Sequence, residues 1–362
     1  MAKTKSRCIR VGIIGQGRSG YSIHADHLRR DSRYQIVAVV DPLAERRQQA
    51  EQEFGAQTYA SHREMLGRKD LDLVVNAAPS CLHVPITLEF LEAGYNVLCE
   101  KPLARRVADV DRLIEAARKA GRLLAIFQQS RFAPYFEQVR KVIDSGVLGR
   151  IVMIKIAWNG FSRRWDWQTL QEYDGGNLLN TGPHPLDHAL QLFGEGMPEV
   201  RCIMDRTNTF GDAEDHVKLL MTGKDRPTID LEVSSCAAYS PYNYLVYGTL
   251  GGLTASQSEV NWKYYNAARA STRQLIREPL PGRQYCSERL SWVEKKWTIP
   301  KSKANLFPYM ARQFYTHLCA TLTEDAPLVI TPEHVRRQVA VIEECHRQNP
   351  LPRLRTTAPL RA

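Results

Sequence analysis

The sequence predicts an α/β protein: a doubly wound parallel sheet in the first half, then an α/β domain built on a large, open, mostly antiparallel sheet. Three observations carry this. Up to residue 128, short apolar runs alternate with stretches of helical period. Glycines and prolines punctuate most of the joins between them. From residue 150 the apolar runs follow one another directly and alternate apolar with polar, as antiparallel strands with one covered face do.

The elements follow in order. A strand over 8–14 (CIRVGII) runs into Gly15-x-Gly17-x-x-Gly20 and then into a helix-compatible stretch ending at Arg30. A second strand, 35–41 (QIVAVVD), ends in Asp41. Residues 42–55 read as a helix with Pro42 in the favoured first position. Ser61 and Glu64 form a capping box that opens a helix over 61–66. The run 71–79 (LDLVVNAAP) is almost continuously apolar, as in a strand buried on both faces. A helix over 83–94 stops at Gly94, and a strand over 95–100 ends abruptly at Lys101-Pro102, because Pro102 has no N–H to continue a ladder. A helix over 107–121 and a strand over 122–128 complete the repeated βα units of a doubly wound sheet.

The three glycines alone would fit an ordinary loop. Here a strand precedes them, a helix-compatible stretch follows, and Asp41 closes the next strand 21 residues beyond Gly20. Together these make the dinucleotide fingerprint: glycines let the chain approach a pyrophosphate, helix N–H groups face its charge, and the acid accepts hydrogen bonds from the adenosine ribose. Two carboxylate oxygens at Asp41 suit a ribose diol and repel a 2′-phosphate, so NAD is expected in preference to NADP. Arg46 and Arg47 fall within the next helix and are discounted. Ligands of such sheets bind beyond the carboxyl ends of the strands, where Ala78-Pro79 and Glu100-Lys101-Pro102 fall.

After an amphipathic helix over 135–149, strands are expected over 150–159, 199–209, 215–222, 228–237 and 243–249. Helices are expected over 307–322 and 331–348, the latter capped by Thr331-Pro332. The stretch 261–305 shows no clear period and reads as irregular. Residues 174–194 (DGGNLLNTGPHPLDHALQLFG) place Asn180, His184, Asp187 and His188 within nine positions. On a helix, 184, 187 and 188 share a face. Three readings stand: a metal site lacking a full ligand set, buried structural histidines, or a catalytic histidine brought to the cofactor. Trp165 and Trp167 could stack on a sugar, with Arg163 or Arg164 reaching hydroxyls or an acid group; packing beneath a loop is the alternative. Residues 239–244 (YSPYNY) could line the same pocket or an interface.

Lys and Arg number 49 against 39 Asp and Glu, a net charge of +10. The basic residues come as scattered pairs mixed with acids, so a solvated surface is expected and no nucleic-acid partner. The eight cysteines make no C-x-x-C pair and no Cys/His zinc spacing, so no metal is expected and reduced thiols in a cytoplasmic protein are. No apolar run reaches the roughly 20 residues of a membrane span. Residues 1–7 carry no apolar stretch of a signal peptide.

Taken together, GIIGQGRSG, VVD, NAAPSCLH, GYNVLCEKPLA, QSRFAP, GVLGRI, GGNLLNTGPHPLDHALQLFG and YGTLGGL resemble, in this order, the Gfo/Idh/MocA family of glucose–fructose oxidoreductase and inositol dehydrogenase. The resemblance implies a Rossmann domain over 1–129 and a substrate and oligomerisation domain over 130–362, with C-terminal helices packing back on the first. It implies NAD held by Gly15, Gly17, Arg18, Ser19, Gly20, Asp41, Ala78, Pro79, His83, Glu100, Lys101, Pro102 and Gln129. It implies hydride transfer at a secondary alcohol of a sugar, glycoside, inositol or related polyol. Lys101, position 180 and His184 fall on the catalytic positions, and Arg131 matches a family position near the domain junction, either beside substrate or in a structural salt bridge. Arg163, Trp165 and Trp167 are the other residues expected beside substrate. A cis Lys101-Pro102 peptide and a homodimer or homotetramer through the C-terminal sheet are also implied. Position 180 departs from the pattern: Asn stands where the family carries Asp, and Asn cannot take up a proton near neutral pH. His184 is then expected as general base and Lys101 as electrostatic partner, or the reverse. Two alternatives remain: an enzyme that retains NAD and oxidises a glycoside carbon such as C3, and a non-catalytic NAD-binding sensor.

Overall fold

A computed structural model describes residues 8–354 except 281, 283 and 284, so the reading of residues 1–7 lies outside the described residues. Six parallel strands form the first sheet: β1 (Ile9–Ile14), β2 (Tyr34–Val40), β3 (Gln57–Tyr59), β4 (Leu73–Asn76), β5 (Val97–Cys99) and β6 (Leu124–Ile126). Their order is β3-β2-β1-β4-β5-β6, so the winding reverses between β1 and β4 and opens a cleft at their carboxyl ends. Val11, Ile13, Leu73, Val74, Val75, Val97 and Leu98 have no solvent exposure, which is why these strands read as apolar runs.

Local departures have local causes. β3 is three residues long with Gln57 exposed, too short and polar to stand out. Pro42 does not start the next helix, which spans Ala44–Phe54. Asp41 Oδ1 instead accepts the Leu43 N–H at 2.9 Å, an Asx turn that keeps 42–43 extended. The 71–79 run is strand only over Leu73–Asn76, because Ala77 and Ala78 already belong to the cleft. The helix after the glycine loop is wound with a π turn over Gly20–Ala25. The Ser61/Glu64 capping box is present as expected.

The second sheet comprises β7 (Ile151–Asn159), β8 (Glu199–Asp205), β9 (His216–Thr222), β10 (Thr228–Ser234), β11 (Tyr244–Gly248), β12 (Gly251–Ala255), β13 (Glu259–Tyr265) and β14 (Trp292–Thr298). Its order is β14-β13-β12-β11-β7-β10-β9-β8, and only β7 and β10 pair in parallel. β13 and β14 correct the irregular reading of 261–305: they form an antiparallel pair joined by a long connection. β14, WVEKKWT, is an almost wholly exposed edge, and its lysines erase the apolar alternation while discouraging edge-to-edge pairing.

Two cores result, one around each sheet. The helices Leu306–Glu324 and Pro332–Gln348 serve both. Phe314, Tyr315, Val335 and Val339 join the first core, whereas Met310, Val341, Ile342 and Cys345 join the second. Thr331 caps the latter helix, with Pro332 at its first position. Among the described residues no helix is long and apolar enough to cross a membrane.

Candidate active site

The cleft between β1 and β4 is shaped by what its glycines exclude. Gly15 has φ +89°, and a Cβ there would lie 2.6 Å from the Ala77 carbonyl oxygen. A Cβ on Gly20 would overlap the Gly15 carbonyl. Gly17 differs: the nearest atom to its added Cβ is Arg46 Nη1 at 4.0 Å, so its backbone borders open space. Between them Gln16 is buried with neither amide atom hydrogen-bonded among the described residues. Two packed glycines, one open glycine and an unpartnered buried amide fit a pyrophosphate laid along the loop, with Arg18 and Ser19 at the helix start beside it.

Asp41 stands at the end of β2, buried, and its Oδ2 accepts the Gln16 N–H at 2.7 Å. Arg46 was discounted from the sequence and does reach this carboxylate, with Nη1 3.3 Å from Oδ2. The late start of the helix puts Arg46 in its first turn, close to the strand end. Arg47 donates to the Asp41 and Pro42 carbonyls.

Beyond β5 the chain turns through Glu100 and Lys101, and the Lys101-Pro102 peptide is cis, as expected. Glu100 turns inward. Its Oε2 accepts the Lys101 N–H at 3.0 Å and its Oε1 lies 3.1 Å from His24 Nε2. Lys101 points the other way, and its Nζ donates to the main-chain carbonyl of Asn180 at 2.8 Å. The helical turn Asn177–Asn180 thus offers Lys101 a carbonyl, while the Asn180 amide makes no hydrogen bond among the described residues. One helix later, His184 enters at the start of Pro183–Phe193, its Nδ1 3.1 Å from Ser130 Oγ and its ring over Trp158.

The positions before that helix are sterically fixed. Gly176 has φ +106°, and a Cβ there would strike the buried Glu214 carboxylate, which accepts the Leu178 N–H at 3.0 Å. Position 184 is half-buried at the cleft. Burial, reinforced by the Lys101 charge, pushes the His184 pKa well below that of free histidine. Burial likewise lowers Lys101, with Arg18 and Arg164 adding to the effect and Glu100 opposing it. Burial alone would raise Glu100, but the hydrogen bond to His24, with the Lys101 charge nearby, brings it to about 2, so it is an anion.

Other expected residues are placed differently. Arg131 takes its place in a structural salt bridge. It is buried, its Nε and Nη2 hold Asp187, and its Nη1 donates to the Val329 carbonyl at 3.1 Å. The helix face carrying 184, 187 and 188 exists, and it meets the turn Gln129–Phe132: His184 on Ser130 Oγ, Asp187 on Arg131, His188 Nε2 on the Ser130 carbonyl at 2.8 Å. Only His184 opens to the cleft. His83 spends both ring nitrogens within the protein. It is buried and clamps two loops, Nδ1 on the Pro102 carbonyl at 2.7 Å and Nε2 on the Ala78 carbonyl at 2.9 Å. Glu100 belongs to the same buried layer. Ala78 and Pro79 line the loop after β4, and Gln129 is buried with its Oε1 unpartnered among the described residues. Arg163 lies 4.9 Å over the Phe210 ring, and Trp165, 78% exposed, meets the same ring edge-on. Trp167 packs on Tyr173, and Tyr239 stands in solvent. Arg164, not Arg163, lies near enough to Lys101 to influence its titration.

Two family descriptions match this chain. The oxidoreductase family NAD-binding Rossmann fold covers residues 9–128, and the GFO/IDH/MocA C-terminal domain covers 136–254. The chain belongs to the Gfo/Idh/MocA oxidoreductase family. Among its relatives, the 2,7-anhydro-N-acetylneuraminate hydratase of Mediterraneibacter gnavus is 28% identical over 68% of this chain and 67% of its own. The D-glucoside 3-dehydrogenase of Escherichia coli is 30% identical over 54% of this chain and 56% of its own length. The WlbA dehydrogenase of Bordetella pertussis, solved with NADH and UDP-GlcNAcA, superposes with a TM-score of 0.75 over 94% of this chain and 95% of its own, at 22% identity, a likeness of fold.

As a Gfo/Idh/MocA oxidoreductase, the chain carries site neighbours that motif reading missed. Ser130 sits in the QSRF stretch but had no chemistry assigned. Trp158 is an ordinary strand residue by pattern. Tyr315 reaches His24 from 291 positions away, and no local spacing signals such a contact.

Proposed function

We propose that this protein is an NAD-dependent dehydrogenase or reductase acting on a secondary alcohol of a sugar, glycoside, inositol or related polyol. The observation that carries the reading is the convergence at one cleft mouth of Lys101, anchored on Asn180 O, and His184, anchored on Ser130. Gly17, Gln16, Arg18, Ser19 and Asp41 would hold the dinucleotide. NAD, when bound, supplies the hydride acceptor. The chain's own part is proton and charge handling. With Nδ1–H donating to Ser130 Oγ, His184 presents an unprotonated Nε2 to take the hydroxyl proton, and its lowered pKa keeps it neutral and ready at neutral pH. Lys101 has donors left after serving Asn180 O and stabilises the alkoxide that develops. The free Asn180 amide holds a neighbouring hydroxyl and relays no proton.

The glucoside 3-dehydrogenase and hydratase relatives favour a second reading, in which NAD is retained and a sugar carbon such as C3 is oxidised before a bond is broken or hydrated. The open outer face of the second sheet suits a homodimer or homotetramer, and the protein would work in the cytoplasm with NAD in preference to NADP. The test is a panel of inositols, free sugars, glycosides and sugar acids with both cofactors, applied to the wild type and Lys101→Ala. Removing the ammonium should lower kcat by about 10²–10³ and leave the NADH dissociation constant within twofold. Near-normal turnover in the variant would refute the role. Dinucleotide that copurifies and is reduced without release selects the second reading.

A further inference from the structure

A buried polar chain runs beneath Lys101, and its last member comes from the other end of the sequence. Glu100 Oε1 meets His24 Nε2 at 3.1 Å, and His24 Nδ1 meets the Tyr315 hydroxyl at 2.6 Å. All three are buried, with His24 and Tyr315 at no exposure. Phe127 covers the His24 ring at 4.5 Å, and His27 stacks on Tyr315 at 4.8 Å. Tyr34 donates to the Tyr315 carbonyl at 2.6 Å. Such an arrangement is costly to bury unless it is fully paired, and nothing in the proposed proton handling uses it.

The order of donors gives it a purpose. Burial raises the Tyr315 phenol well above its usual value, so it keeps its proton. Its O–H donates to His24 Nδ1, which fixes the imidazole with Nε2–H toward Glu100. Glu100, held ionised, spends its second oxygen on the Lys101 N–H. The charged groups that face Glu100 and Lys101 are Lys101 itself, Arg18 and Arg164, while burial holds the neighbouring His83 and His184 imidazoles toward the neutral form. Glu100 is therefore the one anion set against several cations.

We infer that His24 and Tyr315 are positioning residues that act through Glu100, holding the strand end that carries Lys101 and keeping an anion on its main-chain N–H. The C-terminal helix Leu306–Glu324 thereby helps set the basicity of a lysine in the first domain. The inference rests on the role proposed for Lys101, but its test does not require turnover. The pH dependence of acetic anhydride labelling at Lys101, read by peptide mass spectrometry, reports the titration of that amine directly. Glu100→Gln, His24→Leu and Tyr315→Phe are compared with Tyr34→Phe, which loses a buried hydroxyl bond to the Tyr315 carbonyl but none of the side-chain bonds linking Tyr315, His24 and Glu100. The three chain variants should move the Lys101 midpoint down by about one pH unit, tenfold in free amine at fixed pH, with Glu100→Gln largest. Tyr34→Phe should lower the melting temperature and leave the midpoint in place. Unchanged midpoints in the chain variants, or an equal shift in Tyr34→Phe, would overturn the inference and leave a packing role only. Tyr315→Phe keeps its ring and decides the matter if His24→Leu fails to fold. Shifted midpoints in a protein that oxidises no alcohol would sink the proposed function and leave this coupling standing.

Discussion

Alanine at two glycines three positions apart should have opposite effects. At Gly20 the added methyl overlaps the Gly15 carbonyl, a backbone atom that cannot swing aside. Overpacking of this kind costs about 1–3 kcal/mol and occasionally more, and both backbones would have to move. At Gly17 nothing lies within 4.0 Å of the new Cβ except Arg46 Nη1 at that distance, the end of a flexible side chain. The free protein should therefore melt within a few degrees of the wild type. The cost appears only when a pyrophosphate must approach that backbone, and a tenfold loss of NADH affinity corresponds to about 1.4 kcal/mol. Thermal melts with and without NADH, together with NADH fluorescence titration, separate the two cases. Gly20→Ala should lose stability in both conditions. Gly17→Ala should keep its melting point but lose at least tenfold in affinity and most of the ligand-induced stabilisation. Wild-type NADH affinity in Gly17→Ala would refute the assignment of this loop as the dinucleotide cradle.

Three further outcomes are expected. Arg131→Met leaves Asp187 buried without its partner and should cost about 3–5 kcal/mol in chemical denaturation, with KM for any substrate unchanged in the folded fraction; a KM effect without destabilisation would restore a substrate role. His188 is held neutral with a pKa of about 4 by burial, against about 6.5 in the unfolded chain. The unfolded chain binds this proton first, so stability should fall by about 3 kcal/mol as pH drops from 7 to 4. His188→Gln should flatten that slope in pH-dependent melts, and an unaltered slope would refute the assignment. Finally, Asp41→Ser removes the repulsion of a 2′-phosphate and frees Arg46 to meet one, so the ratio of kcat/KM for NADP over NAD should rise at least tenfold; an unchanged ratio would show that Asp41 does not discriminate.

The parallel sheet was legible because burial on both faces writes continuous apolar runs, and the glycine loop was legible because its spacing has a steric cause at each position. β13 and β14 were not, since an exposed edge such as WVEKKWT carries no one-sided burial to leave a period. Pro42 misled because its propensity for a helix start is weaker than the Asx turn at Asp41. In the site, Lys101 and His184 stood out through local motifs that end a strand and begin a helix. The two readings of Arg131 could not be separated by pattern, because its partner Asp187 lies on the same helix face as His184 and only the fold reveals which of them opens to the cleft. His24 and Tyr315 could not be found at all: a contact across 291 positions is a property of packing alone.

The Pro332–Gln348 helix leaves its mark on what can be cut from this molecule. Its first half completes the core around the parallel sheet and its second half completes the other. A fragment ending near residue 129 would keep every strand of the nucleotide sheet yet lay bare Tyr34 and Phe127, which in the intact chain are roofed by Phe314 and Tyr315. The nucleotide-binding half is thus no exchangeable cassette. A chimera that borrows it must also borrow the helices Leu306–Glu324 and Pro332–Gln348, and a polypeptide emerging from the ribosome cannot finish its first core until both of these helices have been made.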